Sequence, residues 1–130
     1  MSTIYRQLDA NSDQKSVTAD TTLSKSDTGK TVLLDAIGEA ILLPAPFAGG
    51  HYKFLVTAAV ITTPWTVAAT GAIVYGSVTE AGLVQLSSAE TTLTVVHTKS
   101  IQGDWFTLES DGTNWYLAGQ FSVADSFTTA

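Results

Sequence analysis

A chain of 130 residues is near the usual size of one domain, and its net charge of -6, with six Lys and Arg scattered along it, excludes the basic stripe that nucleic-acid binding needs. No apolar run approaches the roughly 18 residues of a membrane helix, and the lack of cysteine removes disulfides, thiolate metal sites and cysteine nucleophiles together. With 45% hydrophobic and only 14% charged residues, and a mean hydropathy of +0.20, the excess apolar surface predicts contact with another protein chain, first of all a second copy of itself.

The opening residues MSTIYRQLDANSDQ lack a basic segment followed by an apolar stretch, so nothing marks them for the usual secretion route, and the expectation is use where the chain is made or carriage by an assembly. Residues 1–28 are polar and read as an extended N-terminal arm. They form either a frayed terminus or a segment that orders on a neighbouring subunit through Ile4, Tyr5, Arg6 and Leu8. Within Lys15 to Leu23 the Thr-rich alternation leaves room for a strand in the second half.

From residue 29 to 130 Gly and Pro punctuate short runs of Val, Ile, Leu, Thr and aromatic residues. The runs are Thr31–Leu34, Ala40–Leu43, Tyr52–Ala58, Trp65–Ala69, Ile73–Ser77, Leu83–Leu86, Thr92–Thr98, Asp104–Glu109 and Trp115–Ala118. Such spacing predicts an all-β protein, a jelly-roll-like antiparallel β-sandwich as one domain. Helix is nearly absent, with at most one turn at Asp35–Ala40 before Gly38 breaks it. Leu43-Pro44-Ala45-Pro46 cannot lie in a central strand, because each proline removes a ladder donor; it is an extended connector, and the strands around it belong to different sheets.

Alternation assigns the faces. Tyr52, Phe54 and Val56 share one face while Lys53, Leu55 and Thr57 share the other, and both faces are partly apolar. The same holds for Trp105 and Thr107 against Phe106 and Leu108, and for Trp115 and Leu117 against Tyr116 and Ala118. A monomeric sandwich shows one polar face per strand, so a sheet packed against symmetry mates is expected. Asp111-Gly112 between the last two of these runs predicts a hairpin turn, with Trp105 and Trp115 as an aromatic pair across its strands.

The chemistry-bearing residues are sparse. Gly29-Lys30-Thr31 ends like a phosphate loop, but Ser24 stands where the opening glycine belongs and a strand follows instead of a helix. His51, a loop or strand-start residue, and His97, an exposed strand residue, lack metal-ligand spacing. Asp104, Glu109 and Asp111 offer the carboxylates that glycoside hydrolysis uses, yet Asp111 belongs to the turn and Asp104 to a strand start. No nucleophile with its base is recognisable. The reading is of a protein that is not an enzyme, with no catalytic, cofactor-binding or metal residue. Tyr5, Phe47, Tyr75 and Tyr116 are candidates for sugar stacking, against core or interface burial.

Asp27-Thr28-Gly29-Lys30-Thr31-Val32-Leu33-Leu34-Asp35-Ala36, Leu43-Pro44-Ala45-Pro46, Tyr52-Lys53-Phe54 and Ser110-Asp111-Gly112-Thr113-Asn114-Trp115-Tyr116 together resemble the β-sandwich cement or decoration proteins of tailed-bacteriophage heads. The last segment is also similar to domains of tail spikes and fibres. The resemblance implies a homotrimeric jelly roll without catalytic residues or cofactor. It would be made in the host cytoplasm and sit on the outer surface of the capsid, where it clamps major capsid proteins. The alternatives it leaves open are a receptor- or glycan-binding tail fibre or spike tip, disfavoured by the lack of any shaft in these 130 residues, and a tail-tube or baseplate component.

Overall fold

The computed structural model describes residues 14–130, whose twelve strands form two mixed sheets packed into an all-β sandwich. The strands are β1 (Gln14–Ser16), β2 (Thr21–Thr22), β3 (Thr31–Leu34), β4 (Ala40–Leu42), β5 (Ala48–Val56), β6 (Trp65–Ala68), β7 (Val74–Glu80), β8 (Leu83–Glu90), β9 (Thr92–Val95), β10 (Trp105–Asp111), β11 (Trp115–Phe121) and β12 (Phe127–Thr129), with a 3-10 turn at Lys25–Asp27. The large sheet runs β1-β3-β5-β10-β11-β7-β8 and the small one β12-β9-β6-β4-β2. Every run that the composition marked is a strand. Residues 14–28, which the sequence assigns to the arm, supply β1, β2 and the 3-10 turn, and bury Val17 and Leu23 in the core.

The pairing departs from the antiparallel expectation. Five neighbouring pairs are parallel, β1–β3, β3–β5, β2–β4, β4–β6 and β7–β11, and five are antiparallel. The reason lies in the path of the chain. From β1 to β6 each strand lies in the sheet opposite its predecessor, so neighbours within a sheet are two strands apart in sequence and run the same way. The first half is therefore a flattened coil, and the Pro44-Ala45-Pro46 connector carries the chain from β4 in the small sheet to β5 in the large one.

Side chains pointing inward from both sheets make one core. Phe106 stacks on Phe54 at 4.6 Å between ring centroids and meets Phe127, from the other sheet, at 5.3 Å; Phe121 joins Phe127 at 5.0 Å. At the other end Trp115 packs against Tyr52 at 5.7 Å and edge-on to Phe47 at 6.2 Å. Two buried polar tips find partners: the Trp65 indole N–H donates to the Asp35 carbonyl at 3.0 Å, and the Tyr52 hydroxyl to the Ser24 carbonyl at 2.7 Å. Burial, with the nearby Asp27 charge, pushes the Tyr52 phenol up to about 12.

Trp105 and Trp115 are not the cross-strand pair the hairpin suggested. The register sets Trp105 opposite Gln120 and Trp115 opposite Ser110. Partner numbers in this hairpin sum to an odd total, so two residues of the same parity on opposite strands face opposite ways. Trp115 is accordingly buried in the core, and Trp105 lies half-buried on the outer face.

The β7–β8 hairpin turns through Ala81 and Gly82, both at positive φ (50° and 86°), with Glu80 opposite Leu83. A two-residue loop of that kind is a type I′ turn, which suits Asn or Gly at its first position and strains alanine. Ala81→Asn is expected to stabilise the fold by about 1 kcal/mol, read as a higher urea midpoint with an unchanged slope.

Candidate interaction surfaces

The acidic side chains that the sequence offered as chemistry are tied to backbone. Asp104 is buried, accepting the Ile101 N–H at 2.8 Å on one oxygen and the Ser122 N–H and hydroxyl at 3.1 and 3.0 Å on the other. It closes the loop into β10 onto the end of β11. Asp111 accepts the N–H groups of Thr113 and Asn114 at 2.9 and 3.0 Å and the Tyr116 hydroxyl at 2.9 Å. Those backbone donors, then the hydroxyl, hold its carboxyl below the usual range and keep it ionised in the turn. The same contact pushes the Tyr116 phenol up. Glu80 is buried and accepts the Phe127 N–H at 3.1 Å, joining the large sheet to β12. Glu109 alone of the three hairpin carboxylates stands free on the surface, 3.6 Å from the His51 imidazole on β5.

The phosphate-loop resemblance resolves into a turn. Asp27 lies under it, accepting the Ser24 N–H at 3.0 Å and hydroxyl at 3.2 Å, with Lys30 at 3.2 Å and Lys15 of β1 at 3.6 Å. Burial, the largest single influence, pushes this carboxyl up, but the Ser24 N–H, Lys30 and Lys15 together outweigh it and hold it low. This clasp fastens β1 to the chain entering β3. Its one sequence signal was the Ser24-x-x-Asp27 spacing of a capping box.

His51 lies within β5, whereas His97 sits in a turn after β9 rather than on a strand, because β9 ends at Val95. Among the described residues no three His, Asp or Glu side chains gather as a metal site would need. Ile4, Tyr5, Arg6 and Leu8, the predicted contact residues of the arm, lie outside the described residues.

Of the sugar-stacking candidates, Phe47 packs on Trp115 beneath the Lys25 ammonium, 5.6 Å from its ring centre. Tyr75 and Tyr116 are cross-strand neighbours on the outer face of the large sheet, stacked at 6.3 Å. Each tyrosine gives one ring face to the other, and the Tyr116 hydroxyl is taken by Asp111.

What the tertiary structure assembles instead is broad, weakly charged sheet surface. The outer face of the small sheet presents Thr22, Ala40, Leu42, Thr66, Ala68, Thr92, Thr94 and Thr128, and an open groove of about 340 Å³ crosses it at β2, β4 and β6. The outer face of the large sheet carries Trp105 under Lys53, at 5.4 Å, and passes through Tyr116 and Tyr75 to the exposed Val84 and Leu86 of β8. Sequence reasoning identified both faces of β5, β10 and β11 as partly apolar, but not where the exposed residues converge. Neither a protein-family model nor a curated protein matches this chain.

The Asp27 clasp has a pH signature. Its folded pKa lies below the unfolded value of about 4, so its stabilisation is complete above that pH and disappears as pH falls through the depressed folded value. Asp27→Asn is expected to lower stability by about 1 to 3 kcal/mol at pH 7. The gap to the parent, followed by urea midpoints, should close progressively below about pH 4.

Proposed function

We propose that this chain is a virion structural protein, a capsid cement or decoration protein that binds the outer surface of the mature phage head as a trimer and stabilises contacts between major capsid proteins. The observation that carries the reading is the division of labour among the side chains. Asp27, Asp104, Asp111 and Glu80 hold turns and strand ends through backbone N–H groups, while the exposed sheet faces are wide, nearly uncharged and rich in Thr, Ala and apolar side chains. That arrangement suits holding another surface rather than turning over a substrate. The resemblance of the Asp27–Ala36 and Ser110–Tyr116 segments supplies the virion context; in the fold these are the turn into β3 and the β10–β11 hairpin.

The mechanism is mass action. A protein that binds the mature lattice and not its precursors lowers the free energy of that lattice by about 2.7 kcal/mol per site at a hundredfold excess over Kd. A trimer multiplies the effect, because once one subunit is bound the others meet their sites at high effective concentration. The N-terminal arm, through Ile4, Tyr5, Arg6 and Leu8, is the segment we assign to the capsid contact.

Purified protein is expected to co-sediment with undecorated heads, and deletion of residues 1–12 should abolish this while leaving the oligomer intact. Unchanged head binding after the deletion overturns the role of the arm. Binding to host cells but not to heads would instead favour a receptor-binding or glycan-binding fibre module.

A further inference from the structure

Three of the five most exposed large apolar side chains among the described residues lie on the edge strand of the large sheet, the other two, Val60 and Ile37, being in loops. On β8, Leu83 is 68%, Val84 67% and Leu86 63% exposed. Natural edge strands are shielded by lysine, proline or brevity. β8 is eight residues long, and from Leu83 to Ala89 it holds neither a charge nor a proline. Its backbone meets β12 through the Thr129 hydroxyl, which donates to the Leu86 carbonyl at 3.5 Å, but the side chains of Val84 and Leu86 stand on the outer face.

That edge is continuous with a flat surface. Across the sheet, Val84 is followed by Thr79, Gln120 and Trp105, and Leu86 by Ser77, Ala118 and Thr107. Tyr75 and Tyr116 form a third row beside them. From β8 to β11 these outward positions carry no ionised side chain; charge enters with Glu109 and Asp111 on β10, the latter accepting the Tyr116 hydroxyl, and with Lys53 on β5. Four strands about 4.8 Å apart and seven residues long present on the order of 400 Å² in projection.

The charge balance selects the occupant. The chain has twelve acidic against six basic residues, so two copies repel wherever carboxylates meet and associate where the surface is neutral and apolar. A basic partner would be held by carboxylates, which the outward positions of β8, β7 and β11 lack. The small sheet has a neutral outer face too, but it is built from hydroxyls and methyl groups, with Leu42 at 39% exposure its one large exposed apolar residue.

We propose that copies of this chain pack on one another through the β8 side of the large sheet, with Val84 and Leu86 at the centre of the contact, Tyr75 and Tyr116 beside it, and the small polar residues of β7 and β11 completing the surface. The inference takes self-association from the reading above and nothing from head binding. Trp105 is a built-in reporter: Trp65 and Trp115 are fully buried, so quenching of tryptophan fluorescence by acrylamide reads the half-buried Trp105 on this face.

The test is sedimentation velocity and acrylamide quenching of the full chain over a concentration series, against Val84→Asp with Leu86→Asp, and against Leu42→Asp on the opposite sheet. All three positions are exposed, and circular dichroism checks that each variant is folded; Leu86→Ser serves if the double variant is not. The expected result is an oligomer whose dissociation constant rises about 100-fold or more in the Val84 and Leu86 variant, with quenching raised to the level of a diluted monomer. Leu42→Asp should change neither. A Val84 and Leu86 variant that keeps its size and protection, or dissociation by Leu42→Asp instead, overturns the proposal. A parent chain that is monomeric at every concentration overturns it together with the trimer of the preceding section. An oligomer that the double variant dissolves but that never co-sediments with heads supports this interface and counts against the head reading alone.

Discussion

The contact on which the structure depends is the aromatic cluster centred on Phe106. Its ring is buried on β10, flat against Phe54 of the neighbouring β5 and close to Phe127 of the opposite sheet. One side chain thus holds two strands in register and holds the two sheets together. Burial of a ring of this kind is worth several kcal/mol, since truncating a buried Phe typically costs about 3 to 5 kcal/mol. In a chain without cysteine, cohesion of the two layers rests on such packing. Around the cluster the inward rows of both sheets follow from simple alternation.

With the core apolar, the buried carboxylates occupy its margins. Asp27 sits below the turn into β3, Asp104 at the entry to β10 and Glu80 at the β7–β8 turn, each accepting at least one backbone N–H. Such groups satisfy donors that strand ladders leave over, and they define where each strand begins or ends. The consequence reaches function. Acidic residues engaged in this way leave the outer face of β8, β7 and β11 and that of the small sheet without ionised side chains in a protein of net charge -6.

The coil formed by β1 to β6 explains why the large sheet is asymmetric. Its coil side ends in the three-residue β1, fastened by Lys15 to Asp27, and its hairpin side in the long apolar β8. The first is held by an ion pair; the second carries the exposed apolar residues. Gly76 on β7 shows how tightly the hairpin side is built: at φ 122° it lies so close to β11 that a Cβ there would stand 2.2 Å from the Leu117 carbonyl oxygen. The backbone under the proposed self-contact is therefore constrained, and the contact rests on side chains carried by a rigid sheet.

By itself the sequence determined nine of the twelve strands, that Tyr52, Phe54 and Val56 share one face and Phe106 and Leu108 another, and the duty of Asp111 in its turn, since each depends on alternation or on neighbours a few residues away; which row is inward it left open. The change of sheet at Leu43-Pro44-Ala45-Pro46 was legible for the same reason. Only the tertiary structure decided that half the strand pairs are parallel, that Trp105 and Trp115 face opposite ways, and that Asp27 draws Lys15 and Lys30 together. Register and pairing depend on which strands become neighbours, and strands as far apart as β7 and β11, or β9 and β12, meet through a shared core rather than any local pattern. The exposed Val84 and Leu86 were hidden in the same way. Along the chain they belong to one more apolar run, and what sets them apart is that β8 has no strand beyond it in the large sheet.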